Sequence, residues 1–226
     1  MEFVPLSAAH FAGVLFSVLL SAGIILFRKT LRREPFRTTV RHGLAALLVA
    51  SELSLYGWYQ LSDNWGIHAL PFQLCTMTLW ISAAMLIMQH KVLYEIAFFL
   101  GILGAMQALL TPNLSQTFPH FRYFHFFVAH AAIIAASVYM TAVEGFRPRF
   151  ASVAKAYVGL HILAVPAAVV NSLTGSNFMF LARKPSTPSL LDLLAPWPWY
   201  LLQLEVVVIV LLLLLYGVIL LIDKQT

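Results

Sequence analysis

Trp199–Ile222 reads WYLLQLEVVVIVLLLLLYGVILLI, twenty-four residues with a single charge, Glu205. As a helix rising about 1.5 Å per residue it is roughly 36 Å long, enough to cross a hydrocarbon core of about 30 Å. Its middle, Val206–Leu215, is Val, Ile and Leu throughout, a surface suited to lipid chains rather than water. The remainder of the chain has the same character: 61% of its 226 residues are hydrophobic and 10% are charged, where soluble domains carry about a quarter charged. The mean hydropathy is +0.84. The chain therefore reads as an all-α, polytopic integral membrane protein.

Working back from that segment, six more apolar stretches of spanning length precede it, at about 3–27, 40–61, 70–88, 93–111, 121–143 and 153–173. Seven helices with short connections use the whole length, so residues 1–226 are expected to form one membrane domain. The longest connection is the loop 174–198. Glu2 and the lack of any Lys or Arg before the first apolar run argue against a secretion signal and for a retained first helix.

Loop charge sets the expected orientation. Eleven of the fourteen Lys and Arg residues fall on one side: Arg28, Lys29, Arg32, Arg33, Arg37, Arg41, Lys91, Arg147, Arg149, Lys155 and Lys224. Only Arg122, Arg183 and Lys184 fall on the other. The positive-inside rule then puts the N-terminus outside and the C-terminus in the cytoplasm. It also explains the basic balance without nucleic acid, since the cations flank apolar spans. The lone cysteine excludes an internal disulfide, and no Cys/His spacing suits a metal.

On this orientation the polar residues collect in the outer half. In LPFQLC, Leu70–Cys75, Pro71 suits the first helical position and puts Cys75 about one turn inside, where unpaired N–H groups and the helix dipole favour a thiolate. His10 lies at a similar level, Gln107 and Asn171 near the outer ends of the fourth and sixth helices, and Gln203 and Glu205 just below the outer end of the seventh. Glu52 and His130 lie deeper, about 13–15 Å down. A carboxylate at a helix centre costs about 2.5–3.5 kcal/mol, so Glu52 and Glu205 require a partner or a polar cavity. Gly101, Gly104 and Ala105 form a small face that permits close helix approach. Spacing leaves His125 and His130 equally placed as a base for Cys75, and treats His161 as structural and His68 as a loop residue. Gln73, Gln107 and Asn171 read either as helix-bridging amides or as oxyanion donors. Arg183 and Lys184 are the outer cations available to a phosphate.

Five ordered motifs go further: LPFQLC at 70–75, LLTPNL at 109–114, FPHFRYFHFFVAH at 118–130, NSLTGSNFMFLARKP at 171–185 and LLDLLAPWPWY at 190–200. Together they resemble the YwaF-type integral membrane family, bacterial relatives of transmembrane protein 164. The resemblance implies a seven-helix domain in a bacterial plasma membrane and, from the animal branch, a cysteine-dependent acyltransferase acting on phospholipids. It puts the family cysteine on Cys75, the histidine of the FFxAH motif on His130, and the asparagines of NxLxGSN on Asn171 and Asn177. Gln73 stands where relatives often carry a histidine two residues before the cysteine.

The expected chemistry is cofactor-free acyl transfer at the outer leaflet. Cys75, deprotonated by His130, takes an acyl group from a phospholipid as a thioester, and a lysophospholipid hydroxyl removes it. His10, Glu52, Gln107, Asn171 and Glu205 are expected to support or orient, and Gln73, Asn177, Arg183 and Lys184 to bind substrate. Two rival readings are an ion-coupled or lipid transporter or channel, in which the intramembrane carboxylates and histidines mark a path, and a lipid-binding protein with an inert cysteine.

Overall fold

The computed structural model describes residues 2–186 and 189–223, so the expected basic residue Lys224 lies outside the described part. All regular elements described are helical. They are α1 (Ala8–Leu26), the short α2 (Arg28–Leu31), α3 (Phe36–Leu61), α4 (Leu74–Met88), α5 (Lys91–Ile96), α6 (Ile102–Leu110), α7 (Phe121–Ala142), α8 (Phe150–Thr174) and α9 (Trp199–Asp223). A π turn at Ala97–Gly101 joins α5 to α6, making one continuous span, Lys91–Leu110.

Among the described residues six segments are both long and apolar enough to cross a membrane: Ala8–Leu26, Ile67–Met88, Lys91–Leu110, Phe121–Ala142, Phe150–Thr174 and Trp199–Ile222. The protein is an all-α polytopic membrane protein. α3 has the length, at 26 residues, but Arg37, Arg41, His42 and Glu52 keep it more polar than the rest.

α7 is the hub. Within its apolar window 61% of residues are buried inside the protein, against 6% for α9, which packs mainly on α8. α1, α3 and the π turn meet α7 through a small residue or a hydroxyl. Gly13 of α1 lets the Phe127 ring lie on the backbone, since a Cβ there would stand 2.2 Å from Phe127 Cδ1. Tyr123 Oη donates to the Ala9 carbonyl at 2.8 Å, and Tyr139 Oη to that of Arg37 at 2.5 Å. Ser137 Oγ donates at 3.2 Å to the Ala97 carbonyl, at the start of the π turn. α8 leans on α5 through Gly159, which faces Ile96, and through Glu95, which accepts from Ser152 Oγ at 2.8 Å and Lys155 Nζ at 2.6 Å.

The two ends of the bundle differ. The basic end is closed by an ion pair in which the buried Glu144 carboxylate holds Arg37, with Arg41 Nε at 3.3 Å. The loop end carries residues 2–7, 62–73, 111–120, 175–186 and 189–198. These loops are tied together: Phe3 N–H donates to the Ser115 carbonyl at 2.9 Å, and Met179 N–H to Gln73 Oε1 at 3.1 Å.

Several helix boundaries differ from those expected. α3 begins at Phe36 rather than Val40, and α1 at Ala8 rather than Phe3, because Phe3 pairs with the 115 backbone instead. Pro71 is not the first helical residue. Gln73 is the N-cap, in extended conformation, and a separate 3₁₀ turn, Ile67–Ala69, precedes it. Cys75 is consequently the second residue of α4, at its very mouth.

Candidate functional site

α4 buries a face made of Thr78, Leu79, Ser82, Met85 and Leu86, the periodicity of an i, i+4, i+7 stripe. Cys75 lies on this stripe, one turn nearer the loop end. The residue is half-buried against the main core, and its sulfur faces Gly104 of α6: a Cβ at Gly104 would stand 3.8 Å from Sγ and 3.4 Å from Leu74 Cδ2. The small face foreseen on this helix thus meets α4 at the cysteine. Gly101, one turn towards the basic end, faces Ile133 of α7, where a Cβ would stand 3.0 Å from Cγ2.

This crossing sets the level of His130. Gly104 lies three residues, about 4.5 Å, towards the loop end from Gly101, and His130 lies the same distance towards that end from Ile133. Cys75 Sγ and His130 therefore share a level, and no hydrogen bond joins them. His130 Nδ1 is 2.6 Å from the Phe126 carbonyl, and its ring lies 4.3 Å from that of Phe126. A carbonyl only accepts, so Nδ1 carries the proton and Nε2 keeps its lone pair. That is the tautomer a general base needs.

The remaining α7 histidine is placed differently. His125 lies by the Ser51 backbone of α3, with Arg122 Nη1 3.5 Å from its Nδ1. Arg122 in turn lies over the rings of Trp58 and Tyr59, at 5.7 and 5.8 Å. Glu52, 3% exposed, lies beside Tyr56 one turn on and within reach of the Arg122 charge. Glu52 and His125 thus belong to an α3–α7 polar seam.

Other sequence-predicted residues have their polar atoms engaged. His10 Nδ1 accepts from Leu6 N–H at 2.9 Å, so its Nε2–H donates to the Leu109 carbonyl at 2.7 Å, tying α1 to α6. Gln107 Nε2 donates to Thr111 Oγ1 within its own helix end. Glu205 meets neither α7 histidine: its Oε2 accepts from Tyr157 Oη at 2.8 Å and its Oε1 lies 3.2 Å from His161 Nε2. Tyr157 and His161 are four residues apart on one face of α8, and sequence reasoning missed both as the partners of Glu205.

The NSLTGSN stretch is a chain of clamps. Asn171 Oδ1 accepts from Phe178 N–H at 2.7 Å and Ser176 Oγ at 3.0 Å, while its Nδ2 donates to the Phe178 carbonyl. Asn177 Oδ1 accepts from the N–H groups of Ala182 and Arg183, and its Nδ2 donates to the Arg183 carbonyl. Between them Met179 and Phe180 both adopt a left-handed backbone, φ 54°, which costs a non-glycine residue about 1–2 kcal/mol. Gln73 holds Met179 N–H, and the buried Tyr200 hydroxyl holds the Phe180 carbonyl. The loop is thereby pinned to the N-cap of α4, two residues from Cys75.

Beneath this loop is a cavity of about 690 Å³, lined by Gln73, His68, Arg183, Lys184, Asn177 and Phe178 among others. No cluster of three or more His, Cys, Asp or Glu able to hold a metal occurs among the described residues.

Comparison with known proteins places this architecture. The model of the TMEM164 family matches residues 5–216, nearly the whole chain. This chain belongs to the TMEM164 family. A protein of Treponema pallidum (strain Nichols), described as uncharacterized, is 27% identical over 184 residues, covering 81% of this chain and 76% of its own. No solved structure matches. Membership in the TMEM164 family covers both LPFQLC and the NSLTGSN loop, so the cysteine at the mouth of α4 and the loop pinned above it lie within the matched region.

Proposed function

We propose that this protein is a cysteine-dependent phospholipid acyltransferase of the outer leaflet, with seven spans, the N-terminus outside and the C-terminus in the cytoplasm. The observation that carries this reading is the setting of Cys75: a lone thiol in the first turn of α4, against the gap left by Gly104, level with an imidazole whose Nδ1–H is held by Phe126. Apo sites commonly hold their catalytic hydrogen bonds long, to be tightened when substrate binds. The reading requires His130 to rotate off Phe126 and carry Nε2 to the thiol when substrate binds.

His130 Nε2 takes the thiol proton, and the thiolate attacks the ester carbonyl of a donor phospholipid. The C–S bond forms, the ester C–O bond breaks, and the leaving lysophospholipid oxygen recovers the proton from His130. A second lysophospholipid hydroxyl then gives its proton to His130 and attacks the thioester; the C–S bond breaks, and the proton on His130 returns to the departing sulfur. First-turn N–H groups of α4 stabilise the oxyanion, since Asn171 and Gln107 spend their amides elsewhere. With water as acceptor the same site is a lipase. A transport path is less well supported, because Glu95 and Glu144, at the basic end, are tied up in ion pairs.

The test is acyl exchange in proteoliposomes between a labelled phospholipid and an unlabelled lysophospholipid. Wild type transfers label; Cys75→Ala abolishes transfer, and His130→Asn lowers it by a factor of about 10² or more. Undiminished transfer in Cys75→Ala would overturn the reading.

A further inference from the structure

The cavity over the mouth of α4 has an unusual charge balance. Among the described residues its ionisable lining is His68, Arg183 and Lys184, with no Asp or Glu. The cations are set in place by the loop. Asn177 fixes both backbone groups of Arg183, whose guanidinium donates one further bond to the Gly175 carbonyl at 3.3 Å. Lys184 Nζ donates to the Leu194 carbonyl at 2.7 Å and lies 6.0 Å from the Tyr200 ring centre, which leaves two of its three N–H groups for another acceptor. His68 stands edge-on against Tyr59 at 5.0 Å. It is an open cleft of about 690 Å³ and not an enclosed pocket, so a headgroup can enter while its chains stay in the lipid.

We infer that this cavity binds the phosphate of an anionic glycerophospholipid headgroup, one with no ammonium group, and that Arg183 and Lys184 are its phosphate ligands. Guanidinium and ammonium donors suit a phosphate. A choline or ethanolamine head brings a cation that finds no carboxylate on the wall, only three basic side chains. The apolar part of the wall, Phe178, Phe180 and Ile67, faces the glycerol end. Gln73 belongs both to this wall and to the N-cap of α4, so a lipid phosphate held here sets its ester groups near Cys75. The assignment to acyl donor or acceptor rests on the acyl-transfer reading; the binding itself does not.

The test uses full-length Cys75→Ser protein in detergent micelles, so that no acyl chemistry intervenes, and native mass spectrometry to count bound lipid. Diacyl phosphatidylglycerol is expected to bind at least tenfold more tightly than diacyl phosphatidylcholine of the same chains. Adding Arg183→Ala is expected to erase most of that preference, and Arg183→Lys to retain part of it. Arg183 is exposed, and an unchanged melting temperature shows that its loss does not unfold the loop. Competition by millimolar inorganic phosphate identifies a site for phosphate in general. Resistance to it, with dependence on Arg183 retained, identifies a site for lipid-borne phosphate. Equal affinity for the two lipids, or a preference that survives Arg183→Ala together with Lys184→Ala, overturns the inference. Headgroup selectivity without any acyl transfer in the wild type would defeat the enzymatic reading and leave this one standing.

Discussion

At the scale of single residues, the question is how a lone thiol among apolar side chains can be reached and ionised. Gly104 is the α6 residue that packs beside Sγ, and its missing side chain lets α6 come close to the thiol. Gly104→Ala puts its Cβ at ordinary contact distance and should be tolerated. Gly104→Leu has to displace Leu74 or the sulfur, at an overpacking cost of about 1–3 kcal/mol, and by covering the sulfur it is expected to slow Cys75 alkylation by a small maleimide. Alkylation at the wild-type rate in Gly104→Leu would mean that the sulfur is reached from another side. The site was partly legible at this scale. The lone Cys75 and the small face containing Gly104 can be read from sequence. Whether an amide or imidazole is free cannot, because that depends on which backbone groups come within its reach. Asn171, Asn177 and His10 look like candidate ligands in the sequence, and each is consumed by nearby main chain.

At the scale of elements, α7 is the piece against which the others are fitted, and the fits are narrow. Gly13→Ala is the sharpest case: its new methyl falls inside the Phe127 ring, so α1 must move off α7. The predicted cost is about 2–3 kcal/mol, seen as a lower midpoint in thermal unfolding in detergent with helix content kept; an unchanged midpoint would show that the α1–α7 contact is looser than described. At the basic end, Glu144→Ala leaves Arg41 without its carboxylate while the more exposed Arg37 turns to water, and the expected loss is about 1–3 kcal/mol by the same measurement. Helix identities were legible here from length and hydropathy, while starts were not. Pro71 is a good first helical residue in principle, yet the 3₁₀ turn and the extended Gln73 move the start of α4 to Leu74. Counting residues from helix ends also treats the ends as level, and they are not: Glu205, six residues into α9, meets His161, thirteen residues from the end of α8.

At the scale of the whole molecule, the asymmetry between the ends carries the functional argument. Arginines and ion pairs close one end; clamped loops, a cavity and the only cysteine occupy the other. If the basic end is cytoplasmic, an epitope fused before Glu2 is accessible to antibody in intact cells, and one fused after the chain's last residue becomes accessible only on permeabilisation. The reverse pattern would put the thiol in the inner leaflet. The all-helical membrane class was legible from composition alone, because no other fold satisfies so apolar a chain with so many spanning-length segments. The cavity was not legible, since its wall is assembled from three loops distant in sequence, around His68, Asn113 and Gly175–Ser186.

The central claim is that the Cys75 sulfur carries the acyl group. Purified protein incubated with an acyl-labelled phospholipid, in the absence of acceptor, should gain the mass of one acyl chain on Cys75, and neutral hydroxylamine should remove it. No adduct on Cys75, with lipid turnover equal in wild type and Cys75→Ser, would contradict the account.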